Sequence, residues 1–357
     1  MYIKITNKIN DVSSLLSNNI FTLIMIFLKT HDLLKSGYLD IEIEQSLNLT
    51  EEINKLRKEK NACILAHYYQ EESIQDIADF VGDSLALAQQ AEKTNNDIIV
   101  MAGVHFMAET VKILCPEKKV LIPDLNAGCS LADSCPAKDF KKFIENYRDH
   151  VIISYVNTTA EIKALSDIIC TSSNASHIVN SVPKNKKIVF APDRNLGNYI
   201  SSITGRKMVI WDGACHVHEE FSLERILEIK DKINDAKIIA HPECKRQVLM
   251  VADHIGSTAS LLKFVQNDNS DKYIVATESG IIHQMKKKCP EKEFIPAPPV
   301  DVTCGCNDCN FMKLNTLKKI YICLKHEVPE VKINKDIRIR ALAPIKKMLE
   351  ISKKSGL

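Results

Sequence analysis

Residues 63–70 read CILAHYYQ, a short apolar run that ends on a histidine and two tyrosines. The chain repeats this arrangement twice, as VIISYVNTT over 151–159 and as KIIAHPECK over 237–245. In each copy a helical pattern and further short apolar runs follow. This alternation is typical of an α/β protein with parallel strands, so we predict that fold class.

The three copies keep a common spacing. The residues that end the first predicted strands lie 88 and 86 positions apart: His67, Tyr155 and His241. Seventeen positions after each of them stands a hydroxyl side chain: Ser84, Ser172 and Thr258. We therefore predict an internal triplication, with three pseudo-equivalent α/β three-layer sandwich domains around a central cavity with pseudo-threefold symmetry.

Each copy also closes on cysteine. Cys129 closes the first copy, Cys215 the second, and the run TCGCNDC over 303–309 closes the third with Cys304, Cys306 and Cys309. Thiols this close together rarely form an unstrained disulfide, so the run favours ligation of a soft metal. A zinc knuckle and a redox switch are the alternatives.

These patterns divide the chain into five parts. They are residues 1–48, an N-terminal extension of unknown role; 49–135, 136–220 and 221–313, the three α/β repeats; and 314–357, a helical closure with Pro344 and several lysines on its outer face. The apolar run IFTLIMIFL at 20–28 has nine residues, well short of the roughly 20 that span a bilayer. It predicts a buried or docking helix, with a targeting or poorly ordered extension as the alternative.

The amino-acid composition limits the kinds of partner that we expect the chain to bind. The chain has 357 residues, of which 45% are hydrophobic and 26% charged, and its formal net charge is only +2. No basic tract of nucleic-acid-binding type is present, so we expect neither a nucleic-acid nor a membrane partner. Twelve cysteines are too few for a disulfide scaffold at this length and favour a reducing compartment. We expect a cytoplasmic location, with an organelle as the alternative.

The thiols that close the repeats are the candidate metal ligands. Ligands of parallel sheets bind outside the carboxyl ends of the strands, beside helix N-termini, so three repeats would direct their ends into one cavity. Structural zinc prefers four ligands in local pairs. Three separate thiolates, from Cys129, Cys215 and one of the terminal trio, instead suit a 4Fe–4S cluster with one open iron. The alternative is that these are small core cysteines.

Polar residues at the strand ends are the candidate acid–base groups. His241 and Glu243 lie two apart on an extended segment and share a face, which predicts a carboxylate–imidazole pair for proton transfer. By the same alternation, Tyr155 and Asn157 face the cavity while Val156 faces the core. Isolated histidines are more often structural, and His216 and His218 beside Cys215 could tune a metal centre or serve structure alone. Four hydroxyl residues are predicted helix caps that can also bind anions: Ser84, Ser172, Ser257 and Thr258.

Ten motifs from about residue 51 to 357 resemble the quinolinate synthase family, in the family's order: LAHYYQ, IADFVGDS, MAGVHFMAET, the Cys129 loop, SYVNTTAE, PDRNL, GACHVHE, HPEC, GSTA, and a terminal cysteine followed by MK. The resemblance implies three pseudo-equivalent α/β domains around an oxygen-sensitive 4Fe–4S cluster. It also implies an enzyme of de novo NAD biosynthesis that condenses iminoaspartate with dihydroxyacetone phosphate, releasing phosphate and two waters, to give quinolinate. L-aspartate oxidase is the implied supplier of the imine.

The resemblance also implies roles for individual residues. The cluster ligands would be Cys129, Cys215 and Cys309, the last because it stands at the family's C-x-x-M-K spacing, although the repeat offset alone slightly prefers Cys304. Substrate would contact His67, Ser84, Tyr155, Val156, Asn157, Ser172, His241, Pro242, Glu243 and Thr258, while Tyr69, Glu243 and His241 would be catalytic. The extra thiols of Cys304 and Cys306 leave open a replacement ligand or a regulatory disulfide.

Two other functions stay open from the residues alone. An iron–sulfur hydro-lyase acting on another dicarboxylate would share the open iron but would need no phosphate pocket. A redox-sensing cluster protein would need a docking or DNA-binding element, and the sequence shows no helix-turn-helix signal or basic recognition helix.

Overall fold

The strands form three separate parallel sheets. The computed structural model describes residue 33 and residues 36–301 and 307–357, and in these residues each sheet has four strands. Every sheet has the same order, in which the first strand of the repeat lies between the second and the third, and the fourth lies at the edge. The predicted α/β class is confirmed, and no sheet closes into a barrel. The apolar run 20–28, Cys304 and Cys306 lie outside the described residues.

The first repeat contains the sheet β2-β1-β3-β4. Its elements are, in chain order, α1 (Leu49–Glu59), β1 (Ala62–His67), α2 (Glu72–Ile77), β2 (Phe80–Gly82), α3 (Ser84–Lys93), β3 (Ile98–Ala102), α4 (His105–Leu114), β4 (Lys119–Leu121) and α5 (Ser130–Asp133). Every residue of β1 and β3 is buried, as expected for parallel strands covered by helices on both faces.

The second repeat contains the sheet β6-β5-β7-β8. Its elements are α6 (Ala137–Ile144), a 3₁₀ turn (Glu145–Tyr147), β5 (His150–Tyr155), α7 (Ala160–Lys163), β6 (Ile168–Cys170), α8 (Ala175–Ser181), β7 (Lys187–Ala191), α9 (Arg194–Thr204), β8 (Val209–Ile210) and α10 (His216–Glu219).

The third repeat contains the sheet β10-β9-β11-β12. Its elements are α11 (Leu223–Lys232), β9 (Lys237–Ala240), α12 (Arg246–Leu249), β10 (His254–Ile255), α13 (Thr258–Asn267), β11 (Lys272–Ala276), α14 (Ile281–Lys288) and β12 (Glu293–Pro296). A 3₁₀ turn (Met312–Leu314), α15 (Leu317–His326) and α16 (Lys335–Lys354) complete the chain. The predicted domain boundaries themselves stay predictions.

One hydrogen bond recurs in all three repeats. An aspartate just before the second strand accepts a bond of 2.8 Å from a backbone N–H near the start of the first strand: Asp79 from Ile64, Asp167 from Ile152 and Asp253 from Ile238. These aspartates follow the same spacing of 88 and 86 residues as the strand-end residues. The repetition therefore extends to the bonds that set the position of the second strand against the first.

The C-terminal segment ties the first two repeats together. Helix α15 packs on α1, whereas α16 packs across α4 of the first repeat and α7, α8 and β6 of the second. Between them, Val331 N–H donates to Val120 O at 2.9 Å along the edge strand β4. Pro344 is buried rather than on the outer face, so that detail of the prediction is wrong. Among the described residues, no helix combines the length and apolar character needed to cross a membrane.

Candidate active site

A cavity of about 140 Å³ lies where the three repeats meet. It is lined by these sequence-predicted residues: His67, Tyr69, Ser84, Cys129, Tyr155, Asn157, Ser172, Cys215, His241, Glu243, Thr258 and Cys309. Val156 and Pro242 do not line it. Both are buried, and Val156 packs in the core as its alternation with Tyr155 and Asn157 predicts. The structure thus brings together side chains that lie up to 242 positions apart in the sequence.

The repeated hydroxyls are not helix caps. Asp83 caps α3 by accepting from Ala86 N at 3.0 Å, and Ser257 caps α13 by accepting from Ser260 N at 3.3 Å. Ser84 and Thr258 are instead the first helical residues, where the hydroxyl is not needed for capping. The capping prediction is confirmed for Ser257 and wrong by one residue for Ser84 and Thr258, whose hydroxyls therefore have no capping role.

Ser172 also does not cap a helix, since Asn174 is the residue that precedes α8. Its Oγ lies 3.2 Å from His241 Nε2, across the boundary between the second and third repeats. The neighbouring Ser173 joins all three repeats, because its Oγ lies 2.6 Å from Asp83 Oδ2 and 2.8 Å from Ser257 Oγ. One polar residue from each repeat therefore fixes the relative position of the three hydroxyls.

Two cavity histidines have the same local geometry. His67 Nδ1 accepts from the N–H of Tyr69 at 3.2 Å, and His241 Nδ1 accepts from the N–H of Glu243 at 3.4 Å. Burial lowers the pKa of His67 to about 3, with His241 adding to the effect, and burial likewise lowers the pKa of His241 to about 3. Both imidazoles are therefore neutral near pH 7. With Nδ1 an acceptor, the proton sits on Nε2, which assigns Nε2 as a hydrogen-bond donor.

A continuous line of polar atoms connects Tyr69 to Glu243. Tyr69 Oη lies 2.7 Å from Thr277 Oγ1, which lies 3.0 Å from His218 Nε2. His218 Nδ1 in turn lies 2.8 Å from Glu243 Oε2. By contrast, His241 Nδ1 lies 3.9 Å from the same oxygen. The closer carboxylate–imidazole pair is thus Glu243–His218, not the Glu243–His241 pair predicted from spacing.

Neighbouring groups keep the Glu243 carboxyl ionised. Burial alone would raise the pKa of this carboxyl, but the His241 and His218 imidazoles and a hydrogen bond from Tyr155 outweigh burial and hold the pKa at about 2. Its Oε1 is buried and has no hydrogen-bond partner among the described residues. Burial raises the pKa of Tyr69 well above its ordinary value, so the phenol stays protonated. An ionised base and a protonated acid therefore lie at opposite ends of the line.

The three predicted ligand thiols come from the three repeats. Cys129 precedes α5, Cys215 precedes α10, and Cys309 lies in the segment 307–311, which belongs to no helix or strand. The ten cysteines in the described part of the chain are all free. Burial raises the pKa of Cys129 to about 12 and that of Cys309 to about 11, so both are neutral thiols that a metal centre would convert to thiolates.

This donor set fits an iron–sulfur cluster. Thiolates are the usual ligands of such clusters, and three free thiols in one cavity would leave one iron of a 4Fe–4S cluster without a protein ligand. A second, tighter set also exists: ligand atoms of Cys215, His218 and Glu243 all lie within 4.8 Å of one another. A mixed set of sulfur, nitrogen and oxygen at that spacing suits a single ion such as zinc. The two sets share Cys215 and are therefore alternatives.

Sequence comparison now identifies the family. The sequence model of the family described as "Quinolinate synthetase A protein" matches residues 51–350. The chain belongs to the quinolinate synthetase A family. The match leaves residues 1–48 outside it, so the predicted extension has no counterpart in the family model.

Curated relatives in the quinolinate synthetase A family are similar over most of their length. Proteins named quinolinate synthase from Thermosynechococcus vestitus and Trichormus variabilis are 58% and 60% identical to this chain over 306 residues. A third, from Chloroherpeton thalassium, is 56% identical over 307 residues. The alignments cover 86% of this chain and 94–96% of the relatives. The name these relatives carry is that of an enzyme.

Sequence reasoning missed Thr277 and gave His218 no decided role. A signal for Thr277 does exist, because the third strand of each repeat ends on alanine and the next residue is Gly103, Pro192 or Thr277. Only the third repeat places a polar side chain at that position. Its partners, however, come from two other segments, and sequence spacing does not reveal them.

Proposed function

We propose that this chain condenses iminoaspartate with dihydroxyacetone phosphate, releasing phosphate and two waters, to form quinolinate. The observation that carries the proposal is that three thiols, one from each repeat, share a cavity with Glu243 and the repeated hydroxyls. Relatives named quinolinate synthase, at 56–60% identity over most of the chain, support the same reaction. A transferase of this kind needs anion sites, an acid–base pair and an electrophile, and the cavity has candidates for each.

Cys129, Cys215 and Cys309 are the proposed ligands of a 4Fe–4S cluster. When bound, the cluster would supply an open, Lewis-acidic iron for a substrate heteroatom. Phe106 and Phe311 line the same cavity and would limit the access of water. Burial raises the pKa of all three thiols, so assembly would release protons from this chain.

The substrates carry two carboxylates and a phosphate, yet the described lining of the cavity contains neither lysine nor arginine. We assign the anionic oxygens to the N-termini of α3 and α13, because first-turn N–H groups have no acceptor within the helix and the positive dipole end favours negative charge. Ser84 and Thr258 add hydroxyl donors there, and Ser172 adds a third. His67 and His241 contribute Nε2–H groups without adding charge.

Proton transfer is assigned to Glu243 as base and Tyr69 as acid. The buried Oε1 of Glu243 lacks a hydrogen-bond partner among the described residues, so it can accept a proton from bound substrate. Tyr69 Oη lies within hydrogen-bond distance of both Thr277 and Thr258, which would orient it toward the cavity. Thr277 and His218 are the proposed path by which the proton returns from Glu243 to Tyr69, and this path requires His218 Nδ1, 2.8 Å from Glu243 Oε2 but without hydrogen-bond geometry, to align with that oxygen.

The wider setting is also a proposal. The imine substrate reacts readily with water, so a supplier such as L-aspartate oxidase would act close by. We expect the reaction to take place in the cytoplasm or an equivalent reducing compartment, because the cluster is oxygen-sensitive and the ten described cysteines are free.

The test is metal analysis and an activity assay on protein purified without oxygen. About four irons and four sulfides per chain, with quinolinate formed from enzymatically generated iminoaspartate and dihydroxyacetone phosphate, would support the reaction and the cofactor together. A cluster without quinolinate would favour the hydro-lyase or the redox sensor. Zinc that is lost from His218→Ala but kept in Cys129→Ala would favour the single-ion set instead.

A further inference from the structure

The segment that carries Cys309 is held by a buried ion pair. Glu278 follows β11 and is fully buried, and its Oε1 accepts from the backbone N–H of Cys309 at 3.2 Å. The Lys313 ammonium lies 3.2 Å from the same oxygen. The other oxygen, Oε2, accepts from Gly280 N–H at 2.8 Å. Both carboxylate oxygens are therefore satisfied, and one of them bonds the residue that bears the thiol.

Lys313 links this pair to the proposed acid. Its Nζ donates to the backbone O of Tyr69 at 3.1 Å, and its own N–H donates to Cys309 O at 3.1 Å. Glu71, whose side chain is 53% exposed, is a more distant partner at 3.6 Å. One ammonium thus connects the end of the first strand of repeat 1 with the thiol segment and with the end of β11 in repeat 3.

Neighbouring contacts leave this arrangement little freedom. A Cβ added at Gly280 would lie 2.9 Å from Glu278 Oε2, from Tyr68 O and from Tyr69 Cα. Ser279 bonds the same segment twice, through its N–H to Asn307 O at 3.3 Å and through its hydroxyl to Asp308. Residues 307–311 belong to no helix or strand, so these bonds, together with the packing of Cys309 and Phe311 against the core, set the position of Cys309.

We propose that Glu278 and Lys313 are positioning residues that hold the Cys309 thiol in the cavity and in fixed relation to Tyr69. We call them the Glu278–Lys313 clasp. The proposal rests on the proposed function only in taking Cys309 as a ligand. A buried ion pair costs desolvation and contributes little net stability, so its benefit here is a defined geometry. Removal of Lys313 leaves Glu278 fully buried without its counter-charge, whereas removal of the Glu278 charge leaves the half-buried Lys313 with only the more distant Glu71, and either change would loosen the segment.

The first test measures thiol reactivity in metal-free protein, with a maleimide and peptide mass spectrometry. Lys313→Met and Glu278→Gln should raise the labelling rate of Cys309 about tenfold, because the segment opens locally more often. The rates of Cys129 and Cys215 should change less than about twofold. Glu71→Gln is the matched control and should resemble the parent protein, and Lys313→Arg should restore most of the protection.

A double-variant cycle separates the clasp from general destabilisation. Glu278→Gln combined with Lys313→Met leaves no unpaired buried charge, so Cys309 should react more slowly than in Lys313→Met alone. If all thiols, including the core residues Cys170 and Cys323, become reactive together, or if Cys309 labels at the parental rate, the proposal is overturned.

The same variants distinguish this proposal from the proposed function. In protein loaded with metal, Lys313→Met should lose iron to a chelator about tenfold faster than the parent and Glu71→Gln. A parent protein that holds no iron would refute the cofactor, while selective labelling of Cys309 would still support the clasp. A parent that holds a cluster equally well in all variants, with unchanged labelling, would refute the clasp alone.

Discussion

The cavity is built from two kinds of repeated position, and they differ in how strictly the residue type is kept from copy to copy. The position that closes each repeat is cysteine in all three copies: Cys129, Cys215 and Cys309. The position that ends the first strand is histidine, tyrosine and histidine in turn: His67, Tyr155 and His241. Three identical soft donors suit a ligand with equivalent attachment points, whereas three unlike polar groups suit an asymmetric molecule.

The difference indicates how one unit, used three times, serves two tasks. The pseudo-threefold axis is retained where a symmetric cluster would bind and broken where an asymmetric substrate would bind. The line of polar atoms from Tyr69 to Glu243 is not repeated in the other two copies, because Thr277 stands where they have Gly103 and Pro192. We call the three closing cysteines the thiol set, and the strand-end residues together with Glu243 the polar set. Substitutions in the two sets should therefore have distinct effects.

The largest effect is expected in the thiol set. Cys129→Ala, Cys215→Ala and Cys309→Ala should each abolish cluster assembly and lower quinolinate formation about 10³-fold or more, since a Lewis-acid metal contributes several kcal/mol. Iron, sulfide and activity would be measured together. Cys304→Ala and Cys306→Ala are the matched controls. Loss of iron in either control would show that Cys304 or Cys306, rather than Cys309, is the third ligand.

The next effect concerns the polar set. Glu243→Gln should lower kcat about 10²- to 10⁴-fold by removing the base, while iron content stays at the parental level. Tyr155→Phe should lower kcat less, because it removes only a hydrogen bond to the carboxylate. Glu220→Gln, at a half-buried neighbour of His216, is the control. A Glu243→Gln protein that keeps its activity, or that loses its iron, would contradict the separation of the two sets.

The two sets should also respond to pH in opposite directions in the metal-free protein. The folded-state pKa of His67 is about 3, against 6.5 when unfolded, so the unfolded chain binds an extra proton between those values and stability falls as pH falls. From pH 6.5 down to pH 4.5, this effect should lower the free energy of unfolding by about 2 to 3 kcal/mol. The pKa of Cys129 is raised from 9.0 to about 12, so its contribution is lost as pH rises above 9.

Denaturant unfolding measured across pH tests the direction of both changes in stability. His67→Gln should flatten the acid side of the stability curve and leave the alkaline side unchanged, and Cys129→Ala should do the reverse. Equal slopes in the parent and in both variants would show that these groups do not carry the dependence.

Much of this arrangement follows from spacing alone. Separations of 88 and 86 residues place equivalent side chains at equivalent strand ends, and parallel sheets bring those ends together. This is why the sequence predicts an α/β triplication, and why most of the predicted site residues meet in one cavity. A cysteine at the close of each repeat is visible for the same reason, but Cys129, Cys215 and Cys309 lie 86 and 94 residues apart, so the choice of Cys309 comes from the C-x-x-M-K spacing instead.

What spacing does not predict are contacts between repeats and choices between adjacent residues. Glu278 and His218 acquire their roles from atoms that other segments bring within 3.3 Å, and no periodic pattern encodes those distances. The helix starts are missed by one position because two adjacent residues can each cap, as in Asp83–Ser84. Lys313 was visible only as part of the spacing that selects Cys309, and its bond to Tyr69 O required the fold.

The smallest effect is expected at the repeated hydroxyls, and it tests whether their freedom from capping matters. Ser84→Ala should raise KM roughly tenfold, because it would remove one hydrogen bond to a charged oxygen of substrate. Thr258→Val should raise KM similarly and should also lower kcat, because it removes the bond to Tyr69 Oη. The free energy of unfolding should change by less than about 0.5 kcal/mol, whereas loss of the true cap in Asp83→Ala should cost about 1 kcal/mol. Steady-state kinetics and denaturant unfolding measure the two quantities. A Ser84→Ala protein with lowered stability and parental KM would show that the Ser84 hydroxyl stabilises the fold and does not bind substrate.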